Sequence, residues 1–378
     1  MNLSGIVNHF LIKVIKPCII FESSPVYSDN TKPVYDEMVK RGYEKKYHLF
    51  WYISNNDYAS IDKFGNVEIW NKWKTKKLKE KIRSLCLRKK VKAVITSCEY
   101  IVPQPFDSCA LAIHLTHGTP VKDTSSYYTI PKEYDFCISA SEQVRDVMAY
   151  NCKFDRSKIV PLGYPRNDVF SQKKIDIKSV LKTNCDKVIA WYPTFKQHKN
   201  GTKTGCDFAI PIIHEKKSLA MLNDELRSNN IIIVLKPHPA QDLSFIRDIK
   251  LSNIVFLNND FFVSKGISSY QFLASCDALL SDYSSVYCDF LLTGKPVGLI
   301  WEDIDSYKKK PGLCPQYKEN AEGTYKIYNI DDLILFVRQI RTDYDPLIKE
   351  RLCLRDRLNI STDGKNTKRV VDFIEKRL

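Results

Sequence analysis

The stretch Leu279–Asp289 says most about the chemistry of this 378-residue chain. Two leucines have the pattern of a strand end, the turn Ser281-Asp282-Tyr283-Ser284-Ser285 follows, and helix-like spacing of apolar residues begins at Val286. Free backbone N–H groups at the start of a helix favour an anion, so the segment predicts a phosphate or diphosphate site. A serine N-cap in an ordinary α/β unit has the same pattern, so this segment alone leaves both interpretations open.

Two histidines also follow strand-like runs. Leu111–Leu115 leads into Thr116-His117-Gly118-Thr119-Pro120, which would place an imidazole at a strand end beside a backbone that a substrate can approach. Ile232–Leu235 leads into Lys236-Pro237-His238-Pro239, where two prolines would hold the lysine and the histidine on a rigid base. A histidine satisfied within its loop and a plain proline-bounded turn are the alternative interpretations of these motifs.

Two further polar motifs leave strand-like runs. Trp191-Tyr192-Pro193-Thr194-Phe195-Lys196 is the first, and Leu162-Gly163-Tyr164-Pro165-Arg166-Asn167-Asp168 is the second. Each motif alone is a weak signal. Four polar strand exits and the serine-rich turn in one chain outweigh the purely structural interpretations and favour a binding site for a charged substrate.

Strand-like runs alternate with helix-length segments in both halves of the chain. This alternation predicts βαβ units and parallel sheets, arranged as two Rossmann-like α/β domains facing across a cleft. Ligands in such folds bind outside the carboxyl ends of the strands, where the polar motifs lie. The lysine-rich passage Ser171–Asp186 is suited to a linker. The predicted strands are Cys18–Phe21, His48–Ile53, Ala93–Thr96, Phe136–Ser139, Val188–Tyr192, Ile231–Leu235, Ile254–Phe256, Ala278–Leu280 and Val297–Ile300.

The composition narrows the class of protein. Hydrophobic residues make up 44% of the chain, which is typical of a folded globular protein, and the net charge of +14 favours acidic partners. Twelve cysteines without a CxxC pair predict free thiols in a reducing cytoplasm. A secretory signal peptide is not expected, because Asn8, His9, Lys13 and Lys16 interrupt the apolar character of Met1–Ile20. A membrane span is not expected, because no apolar run reaches about 18 residues.

A basic segment predicts contact with a membrane surface. Lys72–Lys92 contains eleven Lys or Arg residues and one acid, and Trp70 and Trp73 fall on the apolar stripe of a predicted helix. A helix of this kind can lie in the headgroup plane of an anionic membrane. A solvated surface helix that packs its stripe on the core is the alternative.

The ordered set of motifs resembles the CDP-glycerol glycerophosphotransferase family, the primases and polymerases of teichoic acids and related surface polymers. The resemblance is nearly full length, and it includes Phe21-Glu22-Ser23 with Ser28-Asp29-Asn30, and Asp363-Gly364 with Arg369-Val370-Val371. It implies a GT-B fold of two Rossmann-like domains. We expect an acceptor-side domain at 1–170, a donor-binding domain at 171–345 and a helical segment at 346–378.

The resemblance also implies roles for residues. It makes His117 the catalytic base, and it makes His238 the histidine that meets the diphosphate. It implies that the CDP-alditol contacts are Gly118, Thr119, Pro120, Arg166, Pro193, Thr194, Lys236, Pro237, His238, Asp282, Ser284, Ser285 and Asp289.

The implied reaction transfers an alditol phosphate from CDP-glycerol or CDP-ribitol to a hydroxyl of a lipid-linked or polymeric acceptor, with release of CMP. No cofactor is expected. A metal-independent reaction is also expected, since no Walker loop or clustered metal-ligand spacing occurs, and activity after chelation would test it. The enzyme would work on the cytoplasmic face of the membrane.

Two other classes of protein compete with this interpretation. A GT-B glycosyltransferase using a nucleotide sugar would share the fold and the position of the base. A nucleic-acid binder is suggested by the net charge alone, and no helix-turn-helix, zinc-finger or RNP signature supports it, so we expect no nucleic-acid partner. The motifs leave open which alditol is transferred, which polymer is made, and whether one unit or many are added.

Overall fold

The computed structural model describes residues 16–52, 68–70, 89–98, 110–194, 210–237, 249–309 and 312–378. The chain divides into two compact units. Unit 1 comprises Met1–Thr119, Ser125–Asp168 and Asp363–Leu378, and unit 2 comprises Pro120–Thr124 and Val169–Thr362.

The described helices are mostly short, and one of them continues directly into a 3-10 turn. The α-helices are α1 Thr31–Lys40, α2 Glu142–Asn151, α3 Ile177–Leu181, α4 Lys216–Ser228, α5 Asn259–Ser264, α6 Ser269–Ser275, α7 Val286–Phe290, α8 Ile304–Lys309, α9 Ile330–Thr342, α10 Ile348–Leu358 and α11 Asn366–Glu375. The 3-10 turns are Tyr43–Lys45, Arg156–Lys158, Pro165–Ser171, Leu291–Thr293, Pro315–Tyr317 and Glu319–Ala321.

Unit 1 is built on a parallel sheet of seven described strands in the order β3-β2-β1-β4-β5-β6-β7. Residues of the central strand β1 alternate between two apolar clusters, with Ile19 and Phe21 in one and Cys18 and Ile20 in the other. Both faces are covered, which explains why the strand is a continuous apolar run. The strands are β1 Cys18–Glu22, β2 His48–Tyr52, β3 Glu68–Trp70, β4 Val91–Thr96, β5 Leu111–His114, β6 Phe136–Ser139 and β7 Ile159–Pro161.

Unit 2 repeats this design with six described parallel strands in the order β10-β9-β8-β11-β12-β13. The strand order of unit 2 changes direction between β8 and β11, as that of unit 1 does between β1 and β4. Ligands of such sheets bind at this point of reversal, outside the carboxyl ends of the strands. Ile189 and Trp191 of the central strand pack with Leu280 in the core of the unit. The strands are β8 Lys187–Tyr192, β9 Ile231–Leu235, β10 Ile254–Phe256, β11 Ala278–Ser281, β12 Val297–Ile300 and β13 Tyr325–Ile327.

The predicted α/β class with two Rossmann-like domains is confirmed, and each predicted strand corresponds to an observed one. Residue 53, the last of the predicted second strand, lies outside the described residues. Strands β3, β7 and β13 were not predicted. Each has three residues and lies at a sheet edge, where too few apolar side chains occur to give a period.

The C-terminal residues do not form the separate helical segment predicted at 346–378. Helix α10 belongs to unit 2, whereas α11 belongs to unit 1. Asp168 fixes α11, because its two carboxylate oxygens accept the backbone N–H groups of Asn366 and Thr367, both at 2.8 Å. The Asn366 side chain in turn donates to the carbonyl of Tyr164 at 3.1 Å. Part of the predicted arginine motif therefore serves the architecture of unit 1.

Two other segments differ from their predicted place. The passage predicted as a linker, Ser171–Asp186, is part of unit 2: it contains α3, and the Ile175 N–H donates to Ser275 Oγ at 3.1 Å. The stretch Pro120–Thr124 also belongs to unit 2, where the Cys314 N–H donates to the carbonyl of Val121 at 3.0 Å.

The predicted basic helix Trp70–Lys92 lies mostly outside the described residues. Trp70 ends β3 and Lys92 lies in β4, so neither belongs to a helix, and 71–88 are not described. In the part of the chain that is described, no helix has the length and apolar character needed to cross a bilayer. The described cysteines are free thiols, and all but Cys353 are buried.

Candidate functional site

The loop after β5 holds His117 in a constrained backbone. Thr116 has φ +57°, which is unfavourable for a β-branched residue, and Gly118 has φ +127°, a region that favours glycine. The His114 ring supports the turn, since its Nδ1 accepts the Thr116 N–H at 3.1 Å. These features constrain the backbone from which the His117 side chain projects, just after the carboxyl end of the strand.

Asn30 holds the same loop from another side. This fully buried residue precedes α1, and its Nδ2 donates to the carbonyls of Leu115 at 3.2 Å and Thr116 at 2.9 Å. Its Oδ1 accepts the backbone N–H of Arg166 at 3.2 Å. One side chain therefore joins the histidine motif to the arginine motif.

The imidazole of His117 is paired with a carboxylate. His117 Nδ1 lies 2.8 Å from Asp29 Oδ2, and the side chains are 50% and 10% exposed, respectively. A carboxylate only accepts hydrogen bonds, so the proton of the neutral imidazole lies on Nδ1. Nε2 is then left with its lone pair, which is the form of histidine that can accept a proton from a substrate.

Arg166 completes this group, since its Nη1 donates to Asp29 Oδ1 at 2.6 Å. Burial alone would raise the pKa of Asp29, but the Arg166 charge, with hydrogen bonds from His117 and Arg166, holds it below its ordinary value. Asp29 is thus a carboxylate at neutral pH. The predicted contact between Arg166 and the donor stays a prediction.

Sequence reasoning missed Asp29 and Asn30 as site residues. The signal was present, because Ser28-Asp29-Asn30 follows the central strand β1 and belongs to the recognised motif set. The carboxyl ends of β1 and β5 lie at the same edge of a parallel sheet, so their loops can meet. The sequence could not show which residue of each loop makes the contact.

In unit 2, the predicted motifs follow three neighbouring strands. Pro193 and Thr194 follow the central strand β8, Lys236 and Pro237 follow β9, and the serine-rich turn follows β11. His238 lies outside the described residues. The three exits therefore meet at one edge of the sheet.

Asp282 binds the loop that follows β8 directly. Its carboxylate accepts the Thr194 N–H at 2.9 and 3.0 Å and the Thr194 hydroxyl at 2.8 Å, and Ser281 Oγ donates to the carbonyl of Tyr192 at 2.8 Å. Asp282 is fully buried. Its observed contacts hold the Thr194 loop in place, and its predicted contact with the donor stays a prediction.

The end of the serine-rich turn is more accessible than its start. Ser284 and Ser285 are half-buried, and the helix that follows, α7, has only five residues before a 3-10 turn. Asp289, predicted to meet donor hydroxyls, is buried and accepts a hydrogen bond from the Tyr270 hydroxyl at 2.7 Å. The two serines are therefore the better placed of these residues to reach a ligand.

Lys236 supplies a positive charge at this edge. Its backbone N–H donates to the carbonyl of Trp191 at 2.9 Å, and its Nζ lies 5.7 Å from the centre of the Tyr192 ring. Burial lowers the pKa of this lysine. Among the described residues, no carboxylate forms an ion pair with it.

The hydroxyl of Thr194 offers a direct test of the Asp282 contact. Thr194→Val keeps the shape of the side chain but removes one hydrogen bond to a charged group. We therefore expect the free energy of unfolding to fall by about 1.5–3 kcal/mol. Urea denaturation would measure this change. Thr342→Val is the control: its exposed hydroxyl donates to the carbonyl of Arg338 within a helix, and we expect a change below about 0.5 kcal/mol. Equal effects of the two substitutions would contradict the role given to Asp282.

Metal ligands are not clustered in the described part of the chain. No group of three His, Cys, Asp or Glu side chains there is arranged to hold an ion. The chemistry identified in the described residues is a carboxylate-paired imidazole in unit 1 and a lysine with hydroxyl groups in unit 2.

The chain is similar to proteins of teichoic acid synthesis. It is 25% identical over 257 residues to a teichoic acid glycerol-phosphate primase of Bacillus subtilis, a match that spans 67% of this chain and 60% of the primase. It is 25% identical over 404 residues to a teichoic acid glycerol-phosphate transferase of Staphylococcus aureus, spanning 96% of this chain and 93% of that protein. The match thus covers less than two thirds of the primase but nearly all of the transferase.

A solved structure and a family profile cover almost the whole chain. The structure of the wall teichoic acid polymerase TagF superposes with a TM-score of 0.71 at 22% identity, over 97% of this chain and 90% of that one. This similarity shows a shared fold, and the GT-B-like two-domain architecture is thereby confirmed. Residues 6–376 match the profile of CDP-glycerol:poly(glycerophosphate) glycerophosphotransferases. The chain belongs to this glycerophosphotransferase family.

Proposed function

We propose that this protein transfers an alditol phosphate, most simply glycerol phosphate, from a CDP-alditol to a hydroxyl of a lipid-linked or polymeric acceptor and releases CMP. The product would be a teichoic acid or a related capsular or surface polymer. The observation that carries the proposal is the family match over residues 6–376, which includes both the histidine loop and the serine-rich turn.

The proposed base is His117. Its Nε2 takes the proton of the acceptor hydroxyl as that oxygen forms a bond to the β-phosphorus. The bond from this phosphorus to the bridging oxygen breaks, and CMP leaves with that oxygen and both bonding electrons. The Asp29 contact supports this role, because it leaves Nε2 unprotonated in the neutral ring.

Unit 2 supplies the proposed phosphate contacts. Phosphoryl transfer depends mainly on positioning and on charge stabilisation, and Lys236 offers a cation that no described carboxylate neutralises. Ser284 and Ser285 offer hydroxyl donors at the neighbouring strand exit. The further donor contacts that we propose are Gly118, Thr119, Pro120, Arg166, Pro193, Thr194, Pro237, His238, Asp282 and Asp289. For Asp282 and Asp289 the internal hydrogen bonds support an indirect role, through Thr194 and Tyr270.

The donor class is the decisive test of this function. Purified protein would be incubated with CDP-glycerol, CDP-ribitol, UDP-sugars and CMP-sugars, each with and without a lipid-linked disaccharide acceptor, and nucleotide release would be followed. We expect acceptor-dependent CMP from at least one CDP-alditol and no turnover of the sugar nucleotides. Turnover of a sugar nucleotide alone would reject the proposal in favour of a glycosyltransferase.

We also propose that the protein works at the cytoplasmic face of the membrane, bound as a peripheral protein. A lipid-linked acceptor requires access to the bilayer, and the net charge of +14 with the basic segment Lys72–Lys92 supports attraction to anionic lipid. Flotation with phosphatidylglycerol vesicles should recover the wild type, and the substitution Trp73→Ala within the basic segment should reduce recovery at least twofold. Unchanged recovery of this variant would remove the basic segment from the proposal.

A further inference from the structure

We propose that Asp29 is a positioning residue of the reaction, which holds His117 in the tautomer that can act as a base. This inference rests on the proposed function. It pairs the proposed base with Asp29, and it assigns to Arg166 the role of holding the Asp29 carboxylate in place.

Both oxygens of Asp29 have a fixed partner. Oδ2 accepts from His117 Nδ1 at 2.8 Å, and Oδ1 accepts from Arg166 Nη1 at 2.6 Å. The side chains of Asp29 and Arg166 are each 10% exposed, so water competes little for either contact. The carboxylate therefore cannot turn away from the imidazole without breaking an ion pair.

The backbone around Asp29 supports the same arrangement. Asp29 has φ +55°, a left-handed conformation that is uncommon outside glycine although aspartate tolerates it better than most residues. Its neighbour Asn30 is buried and bonds both the histidine loop and the Arg166 backbone. The residue before α1 is thus held in place by contacts with both motifs.

The charge of Asp29 also suits the chemical step. When Nε2 takes the acceptor proton, the ring becomes an imidazolium, and a carboxylate at hydrogen-bond distance from Nδ1 stabilises this positive charge. The same carboxylate fixes the orientation of the ring, so Nε2 points away from Asp29. Orientation and charge stabilisation both act through His117, and neither requires that Asp29 touch the substrate.

Asparagine at position 29 should invert the tautomer of His117. Arg166 Nη1 needs an acceptor, so the amide oxygen would face Arg166 and the NH₂ group would face the imidazole. The ring would then accept at Nδ1 and carry its proton on Nε2, which makes it useless as a base. With alanine at position 29, water can hydrogen-bond to the His117 imidazole, so the ring can adopt either tautomer.

The predicted order of activities is therefore unusual. We expect Asp29→Asn to lower kcat about 10²-fold and Asp29→Ala only about tenfold, each with the KM for the CDP-alditol within about threefold of wild type. The control is Asp36→Asn on α1, an exposed aspartate paired with Lys32, which should keep wild-type kcat. A structural role for Asp29 predicts the reverse order, with the isosteric asparagine more active than alanine, and that order would overturn the inference.

Two further measurements separate this inference from the proposed function. In a His117→Asn background, Asp29→Asn should lower the residual rate less than twofold, because Asp29 acts only through His117. Nitrogen-15 NMR of the His117 ring, which needs no substrate, should show Nδ1–H in the wild type and Nε2–H in Asp29→Asn. If no CDP-alditol is turned over but the tautomers are as expected, the proposed function fails and the Asp29 contact stands. If turnover occurs and the tautomer is the same in both proteins, the inference fails alone.

Discussion

His117→Asn is expected to lower kcat for CMP release about 10³-fold, because a positioned general base contributes about 10²–10⁴-fold to a rate. The asparagine keeps a polar amide near the position of Nδ1 but cannot accept the proton at neutral pH. Binding of the CDP-alditol should change less than about threefold, since the proposed phosphate contacts lie in unit 2. Single-turnover quench measurements would give the rate, and equilibrium dialysis with labelled CDP-glycerol would give the affinity.

The control for this substitution is His48→Asn. His48 begins β2, so it lies at the amino end of its strand, whereas His117 follows the carboxyl end of β5. We expect His48→Asn to keep kcat within about twofold. A His117→Asn protein that releases CMP at near wild-type rate would show that another group takes the proton.

Lys236→Gln is expected to weaken binding of the CDP-alditol by about 10–100-fold. A hydrogen bond to a charged group contributes about 1.5–3 kcal/mol, and each 1.4 kcal/mol corresponds to a factor of ten in the dissociation constant. Isothermal titration calorimetry at low salt would measure the change. Lys217→Gln on α4 is the control, because this lysine is exposed and lies in a helix rather than at a strand exit.

The same lysine should lower the stability of the free protein. Burial lowers the pKa of Lys236, so the folded state disfavours its charged form. This loss of stability is fully present when the pH is below the pKa of Lys236 in the folded state. It disappears as the pH rises from that pKa towards the ordinary lysine pKa of about 10.4. Lys236→Met should therefore unfold at a higher temperature than the wild type at pH 7, and the difference should shrink at higher pH. A variant that is less stable at pH 7 and binds donor normally would contradict both expectations.

The sheets of both units could be predicted from the sequence because their central strands are buried on both faces. Runs such as those in β1 and β9 are continuous and apolar, which is a strong signal of a parallel sheet. The edge strands β3, β7 and β13 gave no such signal. The sequence also could not show that the chain returns to unit 1 at Asp363, because that return depends on contacts of Asp168 nearly 200 residues away.

The candidate site was only partly accessible to sequence reasoning. The motifs identified His117, Arg166 and Lys236 as polar residues at strand exits, and the structure places each of them there. Burial could not be predicted, and it separates Asp282 and Asp289, which bind Thr194 and Tyr270, from the more accessible Ser284 and Ser285. Asp29 was missed because its importance comes from partners 88 and 137 residues away.

The position of the bond that breaks tests the central claim most directly. CDP-glycerol labelled with phosphorus-32 in the β-phosphate would be incubated with the protein and a lipid-linked acceptor, and the products would be separated. Attack at the β-phosphorus predicts that all transferred label is in the acceptor and that the released nucleotide is unlabelled CMP. Labelled CDP among the products would mean that a carbon–oxygen bond breaks instead, and it would contradict the account.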